Sequence, residues 1–326
     1  MRKFIGIERL SILDDRWYEV LLEVRETGKK TREVTEMFAS VTTKLQALPL
    51  EEGLKEFFKT AGHNGDLVFK LQGEFGSAAH SLLQAVLTKH PVWLKDHPPR
   101  VDVYDPGTTL DEMKALDGLP LENVAQSVKP TELWERFGRW CDFWFDLNQK
   151  YEVEIIDIEY LVYDLIEKTA GTVDIHLRIR ERPDKDNQKD ESEYPWKNIV
   201  IDWKFGNGVH RSHHLQVAKY ADMSPGQIDE AWLVHIPRKK PNEKGYSVIV
   251  LDDIPKYYKS GTQKGQQKGK TITQLVQQFK SINRVWHIVN PNAKPKTQIM
   301  EVKADLATIS KKPLFIEEKA DAKPTR

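Results

Sequence analysis

The spacing of apolar and polar residues changes several times along this chain, and each change predicts a new element. Residues 4–24 alternate around Asp14 and Asp15, which indicates a β-hairpin, and helix-like spacing begins near Ser40. We therefore expect residues 1–75 to form a lead-in that consists of one hairpin followed by mainly helical structure.

Two longer helices are predicted on either side of a proline-rich loop at residues 91–106. The first runs from Ser77 to about Lys89, and the second runs from Thr131 to about Lys150. The second carries an apolar stripe at helical spacing, which favours packing in the core over a platform for stacking bases. The residues of the stripe are Leu133, Trp134, Phe137, Trp140, Cys141, Trp144 and Phe145.

From Glu154 onward the period changes to two, which predicts a β-sheet. The expected elements are an antiparallel meander at 154–163, 171–180 and 198–204, a helix at 210–223, and strands at 230–236 and 246–251. A helical crossover beside a meander predicts an α/β fold of the α+β kind, with a mixed central sheet flanked by helices. We place this core at residues 76–255 and a basic C-terminal segment at residues 256–326.

The formal net charge of the 326 residues is zero, but the charges are unevenly distributed. Residues 237–300 contain 13 Lys or Arg against 3 Asp or Glu, whereas residues 1–236 contain 30 against 41. A basic segment beside an acidic body suits a polyanion, and clustered carboxylates suit divalent metal ions. A solvated basic loop explains the charge distribution equally well.

Within the basic segment, residues 259–270 are poor in apolar side chains, which predicts a mobile loop. We hypothesise that Lys264, Lys268 and Lys270 bind backbone phosphates there without sequence preference. The last residues, 319–326, are expected to form a frayed tail.

The cysteine content and the N-terminus indicate a cytoplasmic protein. A single cysteine, Cys141, excludes an intramolecular disulfide, a Cys-ligated zinc site and a four-Cys iron-sulfur cluster. Glu8 and Arg9 interrupt the first apolar run before it reaches the length of a signal peptide, and no stretch approaches the roughly 20 apolar residues that span a bilayer. We therefore expect neither secretion nor membrane insertion.

A carboxylate and an ammonium group lie at the end of a predicted strand, in Asn-Ile-Val-Ile-Asp-Trp-Lys-Phe-Gly. Asp202 and Lys204 are two residues apart on this strand, so both side chains project from one face. Other acid-x-Lys triplets occur elsewhere in the chain, but without this apolar strand context. Since burying such charges without partners is costly, they form either a structural salt bridge or a site for a metal ion and a polarised water.

Other polar residues have ordinary structural explanations when each is considered alone. Asp174 lies in the preceding strand, where a meander can place its carboxylate beside Asp202. His80 shares a helical face with leucines, which is more typical of a satisfied core histidine than of a ligand. Gln216 and Tyr220 are one helical turn apart, which is a common amphipathic spacing.

The order of four short motifs carries more information than any one of them. They are Gly-Ser-x-x-His ending at His80, Ala-Gly-x-x-Asp ending at Asp174, Ile-Asp-x-Lys ending at Lys204, and Gln-x-x-x-Tyr ending at Tyr220. In this order, over about residues 76–236, they resemble the RecB-like branch of the PD-(D/E)xK nuclease superfamily. An earlier Ser-Val-Thr-Thr-Lys-Leu, from Ser40, is similar to a segment that precedes the histidine motif in phage exonucleases and mitochondrial genome-maintenance exonucleases of this branch.

The resemblance implies a restriction-endonuclease-like core and a site for one or two Mg²⁺ or Mn²⁺ ions. The implied ligands are His80, Asp174, Asp202 and the backbone carbonyl of Trp203. Carboxylate oxygens suit Mg²⁺, and the softer imidazole favours Mn²⁺. Glu159 occupies a position where some relatives place a carboxylate for a second ion, although an exposed strand glutamate is an equally good explanation.

The remaining motif residues are implied to act around this metal site. Lys204 would orient or deprotonate the attacking water, while Gln216 and Tyr220 would support the site and contact DNA. The cluster at the start of their helix could meet phosphate, although a solvated helix end is the more ordinary explanation. That cluster consists of His210, Arg211, His213 and His214.

The implied function is a metal-dependent DNA exonuclease that acts on an end or a single strand and leaves 5′ phosphates. A role in recombination, repair or replication follows from the family, with a recombination protein, a single-strand-binding protein or a helicase as partner and a phage as one candidate source. No Gly-x-x-x-x-Gly-Lys-(Ser/Thr) loop is present, so any ATP-driven motor would be another subunit. The alternatives are a structure-selective or restriction-like endonuclease and a catalytically silent DNA-binding module.

Overall fold

The computed structural model describes residues 2–12, 15–25, 30–62, 65–89, 130–182 and 194–295. Within these ranges the chain is mixed α/β, with eight strands and six helices. It divides into two compact units, one formed by residues 1–38 with 290–326 and the other by residues 39–289. The loop predicted at 91–106 and the tail predicted at 319–326 lie outside the described residues.

The first unit is built from strands. Strands β1 (Arg2–Ile12) and β2 (Asp15–Val24) form an antiparallel hairpin in which Leu10 lies opposite Trp17, which confirms the predicted hairpin. Strand β3 (Arg32–Ser40) follows next to β2. Strand β3 was not predicted, because pairing with a neighbouring strand stabilises it in a way that its own charged sequence does not reveal. The helical structure expected from about Ser40 is present, beginning at Val41.

The sheet of the second unit confirms the predicted meander and crossover. Its strands are β4 (Tyr151–Asp164), β5 (Thr169–Glu181), β6 (Lys197–Lys204), β7 (Glu230–His235) and β8 (Ser247–Leu251). Strands β4, β5 and β6 pair antiparallel, β7 is parallel to β6, and β8 is antiparallel to β7. The last two residues of β3, Ala39 and Ser40, pair in parallel with the start of β5.

Six helices flank these strands. They are α1 (Val41–Leu45), α2 (Glu52–Ala61), α3 (Gly65–Lys89), α4 (Pro130–Lys150), α5 (Arg211–Met223) and α6 (Ile272–Val289). Helix α1 begins after Ser40, whose hydroxyl accepts a 2.9 Å hydrogen bond from the N–H of Thr43. Helix α3 begins at Gly65, well before the predicted start at Ser77. Gly73 and Gly76 interrupt its apolar pattern, but they do not end the helix. Helix α6 was not predicted at all.

Two apolar layers cover opposite faces of the sheet. Helices α3 and α4 pack on one face against Ile199, Ile201 and Trp203 of β6. Helices α1, α5 and α6 pack on the other face with Val200. This alternation follows from the period of two along a strand. Asp202 and Lys204 share the face of Val200, which is the face that α5 covers.

The aromatic stripe of α4 packs in the core, as the sequence indicated. Trp140 stacks on Trp144 with ring centroids 5.4 Å apart and meets Trp203 edge-on at 5.9 Å. Six of the seven stripe residues are buried, so those rings are not available as a base-stacking platform. Phe145 is the exception and is 38% exposed.

Two buried lysines hold the turn between β4 and β5. The ammonium group of Lys44 donates to the carbonyls of Glu167 and Lys168 at 2.7 and 2.8 Å. That of Lys219 pairs with Asp164 at 2.6 Å. These contacts tie the turn to α1 and α5. Among the described residues, none of the helices combines the length and apolar character needed to traverse a bilayer.

Candidate metal centre

Three side chains of the types that can ligate a metal ion, from three elements, meet at one point of the second unit. His80 of α3 places Nδ1 3.3 Å from Oδ1 of Asp174 on β5 and 3.9 Å from Oε1 of Glu159 on β4. One potential ligand atom from each residue lies within 4.8 Å of the other two. An imidazole and two carboxylates at this spacing can converge on a single divalent cation.

The side chains of β4 and β5 switch from one face of the sheet to the other near Glu159 and Asp174, and this switch brings the two carboxylates to His80. Residues two apart on a strand normally share a face. Here Ile175 packs in the layer of α3 and α4, whereas Val173 packs in the layer of α5 and α6. The paired strand changes in the same way, between Ile158 and Tyr160. Asp174 therefore lies where β5 passes from one layer to the other.

Backbone geometry at Glu159 accompanies this change of facing. Its φ is 50°, in the left-handed region that residues other than glycine rarely adopt within a strand. Such a conformation costs of the order of 1–3 kcal/mol and persists only where the surrounding structure holds it. Strained positions of this kind cluster at functional sites, so the strain favours a functional carboxylate over an ordinary exposed strand glutamate.

Asp202 and Lys204 emerge together beside this triad, as their spacing predicted. The ammonium nitrogen of Lys204 lies 2.6 Å from Oδ2 of Asp202 and donates a 3.1 Å hydrogen bond to Oε1 of Gln216. The carboxylate of Asp202 is buried, with this ammonium group beside its Oδ2 atom. The N–H of Trp203 donates to Oδ2 of Asp174 at 2.7 Å.

Gln216 and Tyr220 complete the arrangement from α5. The amide of Gln216 donates to the hydroxyl of Tyr220 at 3.0 Å, so the pair links Lys204 to a buried aromatic ring. That ring lies directly against the backbone of Gly171, where a Cβ atom would stand only 2.4 Å from Cε1 of Tyr220. The glycine of the Ala-Gly-x-x-Asp motif is therefore the residue that admits the tyrosine.

The pKa values of the buried side chains at the centre are shifted by burial and by their charged neighbours. Burial raises the pKa of Asp202 to about 6, against the lowering effect of Lys204 and with a further raising effect from Asp174. Burial also opposes charge on His80 and on Asp174, but their mutual attraction outweighs it. The pKa of His80 is therefore raised and the pKa of Asp174 is lowered. A divalent cation would relieve the repulsion between the carboxylates.

Arg136 of α4 supports the strand end that carries Lys204. Its buried guanidinium donates to the carbonyl of Phe205 and pairs with Glu132 at 2.6 Å. The Phe205 ring in turn contacts the His80 ring, with centroids 5.7 Å apart. Arg136 thus holds Phe205, which follows Lys204 in the chain and whose ring contacts His80. The sequence alone did not indicate this role.

We predict that Arg136→Ala lowers both the stability of the protein and its affinity for a divalent metal ion. Loss of a buried guanidinium leaves its partners unpaired, which lowers the free energy of unfolding by about 3 kcal/mol. Loss of support for Phe205, whose ring contacts His80, is expected to weaken Mn²⁺ binding by about 10- to 100-fold. Denaturant unfolding and titration of the folded protein with Mn²⁺ measure the two effects.

Arg139, one turn further along α4, provides the matched control. It is also buried, and it donates to the carbonyl of Pro237 at 2.7 Å instead of to Phe205. Arg139→Ala should destabilise the protein to a similar extent without weakening Mn²⁺ binding by folded molecules. Equal losses of Mn²⁺ affinity in both variants would contradict a specific positioning role for Arg136.

The polar cluster at the start of α5 is held by a residue that the sequence analysis did not identify. Glu51 accepts from the N–H of Arg211 at 3.0 Å and contacts Nδ1 of His210 at 2.8 Å. Burial and the nearby Lys204 charge lower the pKa of His213 to about 2, so this imidazole is neutral. The cluster is therefore structured by contacts within the chain.

Of the ligands that the sequence analysis named, the structure brings His80 and Asp174 within ligand distance of each other, while Asp202 lies next to Asp174 but outside that group. Glu159, treated there as an equal choice between ligand and surface residue, lies with His80 and Asp174. Trp203 contributes its N–H to Asp174, and the role of its carbonyl stays a prediction. Arg136 and Glu51 carried no signal in the sequence, since each acts on residues far along the chain.

Comparison of the sequence with protein-family models gives no match, and no curated protein sequence matches the chain.

Proposed function

We propose that this protein is a divalent-metal-dependent deoxyribonuclease with a restriction-endonuclease-like core, of the RecB-like branch of the PD-(D/E)xK superfamily. The observation that carries the proposal is the meeting of the triad of His80, Glu159 and Asp174 with the pair of Asp202 and Lys204. A structural salt bridge accounts for the pair alone. It does not account for a histidine and three carboxylates gathered from four separate elements, with strained backbone at one of them.

The donor set fits a hard divalent cation. Carboxylate oxygens suit Mg²⁺, and one imidazole nitrogen favours Mn²⁺ as the more activating ion. The carboxylate of Asp202 is buried beside the ammonium group of Lys204, and its two oxygens carry further lone pairs that a cation can share. We assign His80, Asp174 and Asp202 as ligands, with the carbonyl of Trp203, and Glu159 as a ligand of the same or a second ion. A bound ion would polarise the scissile phosphate and lower the pKa of a nearby water.

Lys204 has the contacts of a residue that positions a nucleophile. Its ammonium group is held between the carboxylate of Asp202 and the amide oxygen of Gln216, at 2.6 and 3.1 Å. An ammonium group in this place can donate a hydrogen bond to the attacking water and exchange a proton with it. Tyr220 fixes Gln216, and so acts on the reaction through Lys204.

We further propose an exonuclease that acts on a DNA end or single strand and leaves 5′ phosphates, with recombination, repair or replication as its setting. To test this, end-labelled single-stranded, linear duplex and closed circular DNA are incubated with the protein in Mg²⁺, Mn²⁺ or EDTA. The expected result is loss of the linear substrates in either metal, none in EDTA, and intact circles. The products should be ligatable without prior phosphorylation.

Asp202→Ala and Lys204→Ala are the loss-of-function variants for this assay, and Lys197→Ala on the same strand is the matched control. Lys197 is exposed and pairs with Glu230 at the far end of β6. Cutting of closed circles would replace the exonuclease with an endonuclease. Binding of DNA without cleavage in either metal would contradict the proposed activity and favour a silent DNA-binding module.

A further inference from the structure

A lysine-rich loop joins β8 to α6. Residues 254–271 contain five lysines and no acidic residue. The lysines are all exposed, and they are Lys256, Lys259, Lys264, Lys268 and Lys270. The sequence analysis treated most of this loop as mobile and its charge as equally consistent with a simple solvated loop.

Backbone hydrogen bonds fold this loop. The N–H of Tyr258 donates to the carbonyl of Gln266, and the N–H of Gly265 donates to the carbonyl of Tyr258, both at 2.9 Å. Tyr257 and Gln267 form an antiparallel bridge. Gly261 and Gly265 turn the chain with φ near +80° and +83°. The lysines are thus presented from a hydrogen-bonded hairpin.

A cavity of about 470 Å³ lies between this loop, β8, α6 and the first turn of α5. Apolar side chains line part of it, among them Ile249, Leu251 and Leu275. Its basic side chains are Arg211, Lys256, Lys268 and Lys270. Asp252 also lines the cavity, but its carboxylate pairs with Lys256 at 2.7 Å. We refer to this cavity and the loop above it as the basic groove.

Aromatic rings adjoin the basic groove. Tyr257 is 54% exposed and follows Lys256 directly. Tyr258 is 36% exposed, and the ammonium group of Lys268 lies 4.9 Å from the centre of its ring. Lysines interleaved with exposed aromatic rings are typical of surfaces that bind nucleic-acid backbone and stack bases.

We propose that the basic groove binds single-stranded nucleic acid next to the metal centre, an inference that rests on the proposed nuclease function. Lysine side chains supply the contacts for phosphates. The apolar lining and Tyr257 require a ligand that also exposes flat apolar surface. A duplex stacks its bases inside and offers only phosphates and groove edges to a narrow cavity, whereas a single strand offers base faces.

The groove and the centre both adjoin α5. Arg211 lines the groove, and Gln216, which binds Lys204, is five residues further along this helix. At about 1.5 Å of rise and about 100° of rotation per residue, the two positions are about 7 Å apart along the helix axis and about 140° apart around it, so a strand that reaches both would pass around the helix. Binding sites for single strands extend over about 4–16 nucleotides per module, so one strand can occupy both places.

The test is a binding experiment in EDTA with fluorescein-labelled dT20 and with a hairpin duplex, at several salt concentrations. The variant is Lys264→Gln/Lys268→Gln/Lys270→Gln. Because each phosphate contact to a single strand contributes about 0.7 to the slope of log K against log salt, the slope should fall by about 2. Tyr257→Ala should weaken binding of dT20 about tenfold and leave duplex binding nearly unchanged.

Two controls test whether the effects come from the groove lysines and not from net charge, and from the stacking ring of Tyr257 and not from its hydroxyl group. Lys150→Gln/Lys197→Gln/Lys244→Gln removes the same charge from lysines that are 64%, 50% and 63% exposed elsewhere on the second unit. It should bind dT20 like the wild type. Tyr257→Phe retains a stacking ring and should retain binding.

The inference is overturned if the loop variant keeps the wild-type salt slope, or if the duplex binds as tightly as dT20. This outcome is distinguishable from failure of the proposed function, because binding is measured without metal. If the loop variant binds dT20 like the wild type and the protein still cleaves DNA, the groove inference fails and the nuclease proposal stands. Groove-dependent binding of dT20 by a protein that cleaves nothing would support the groove and refute the nuclease.

Discussion

Asp202→Asn should reduce metal-dependent DNA cleavage by about a thousandfold or more while leaving the metal-free protein at least as stable as the wild type. A metal ligand accounts for several kcal/mol of transition-state stabilisation, and each 1.36 kcal/mol is tenfold in rate. Asparagine has the shape of aspartate without its charge. Cleavage assays in Mg²⁺ and denaturant unfolding in EDTA measure the two quantities.

The stability effect has a definite pH dependence. In the folded protein the pKa of Asp202 is raised from 3.8 to about 6 by burial. A carboxyl group with a raised folded-state pKa contributes stability at pH values below its unfolded pKa, and loses that contribution as the pH rises through the folded pKa. The Asn variant should therefore gain on the wild type between about pH 4 and pH 6 and hold that advantage above.

Unfolding in EDTA at pH 4.5 and pH 7.5, for both proteins, tests this directly. The difference between the proteins isolates Asp202 from other groups that titrate in the same range. A variant that is less stable than the wild type at pH 7.5 would show that the pair with Lys204 outweighs the cost of burial. In that case the centre would be a structural salt bridge, and cleavage should survive the substitution.

Gly171→Ala is expected to disable the protein through a single methyl group. The added Cβ would lie 2.4 Å from Cε1 of Tyr220, and this ring is 3% exposed, so it has little room to move. Overpacking of this kind lowers the free energy of unfolding by about 1–3 kcal/mol. Displacing Tyr220 also moves Gln216 and Lys204, and a shift of about 1 Å in such groups can cost about a hundredfold in rate.

A double-mutant cycle with Tyr220→Ala identifies the cause. Once the ring is removed, Gly171→Ala should cost little stability, because the space that the ring occupied is free. Gly76→Ala is the control, since a Cβ there meets nothing within 4 Å and alanine favours the α3 helix. Equal costs of Gly171→Ala with and without Tyr220 would mean that the clash is not the reason for the glycine.

Local periodicity was sufficient to predict those parts of the site that lie on one element. Asp202 and Lys204 share a face because a strand repeats every two residues, and Gln216 and Tyr220 share one because a helix repeats about every four. The meander and the parallel crossover also follow from the pattern and are confirmed.

Features that depend on contacts between distant residues were not predictable in this way. Strand β3 has a charged sequence and is stabilised by pairing. Helix α6 lies in the basic C-terminal segment, for which no helix was predicted, and its apolar face packs against α5. The place of Glu159 depends on backbone geometry that has no sequence signature in a residue other than glycine. The family resemblance itself stays a prediction.

The left-handed backbone at Glu159 limits how this position can change in evolution. Asparagine, aspartate and glycine adopt positive φ more readily than other residues, whereas β-branched residues adopt it at high cost. Of these, only aspartate keeps a carboxylate near His80. Substitution by glycine or asparagine is therefore expected to relieve the backbone strain but remove the negative charge, whereas substitution by aspartate relieves the strain and keeps the charge.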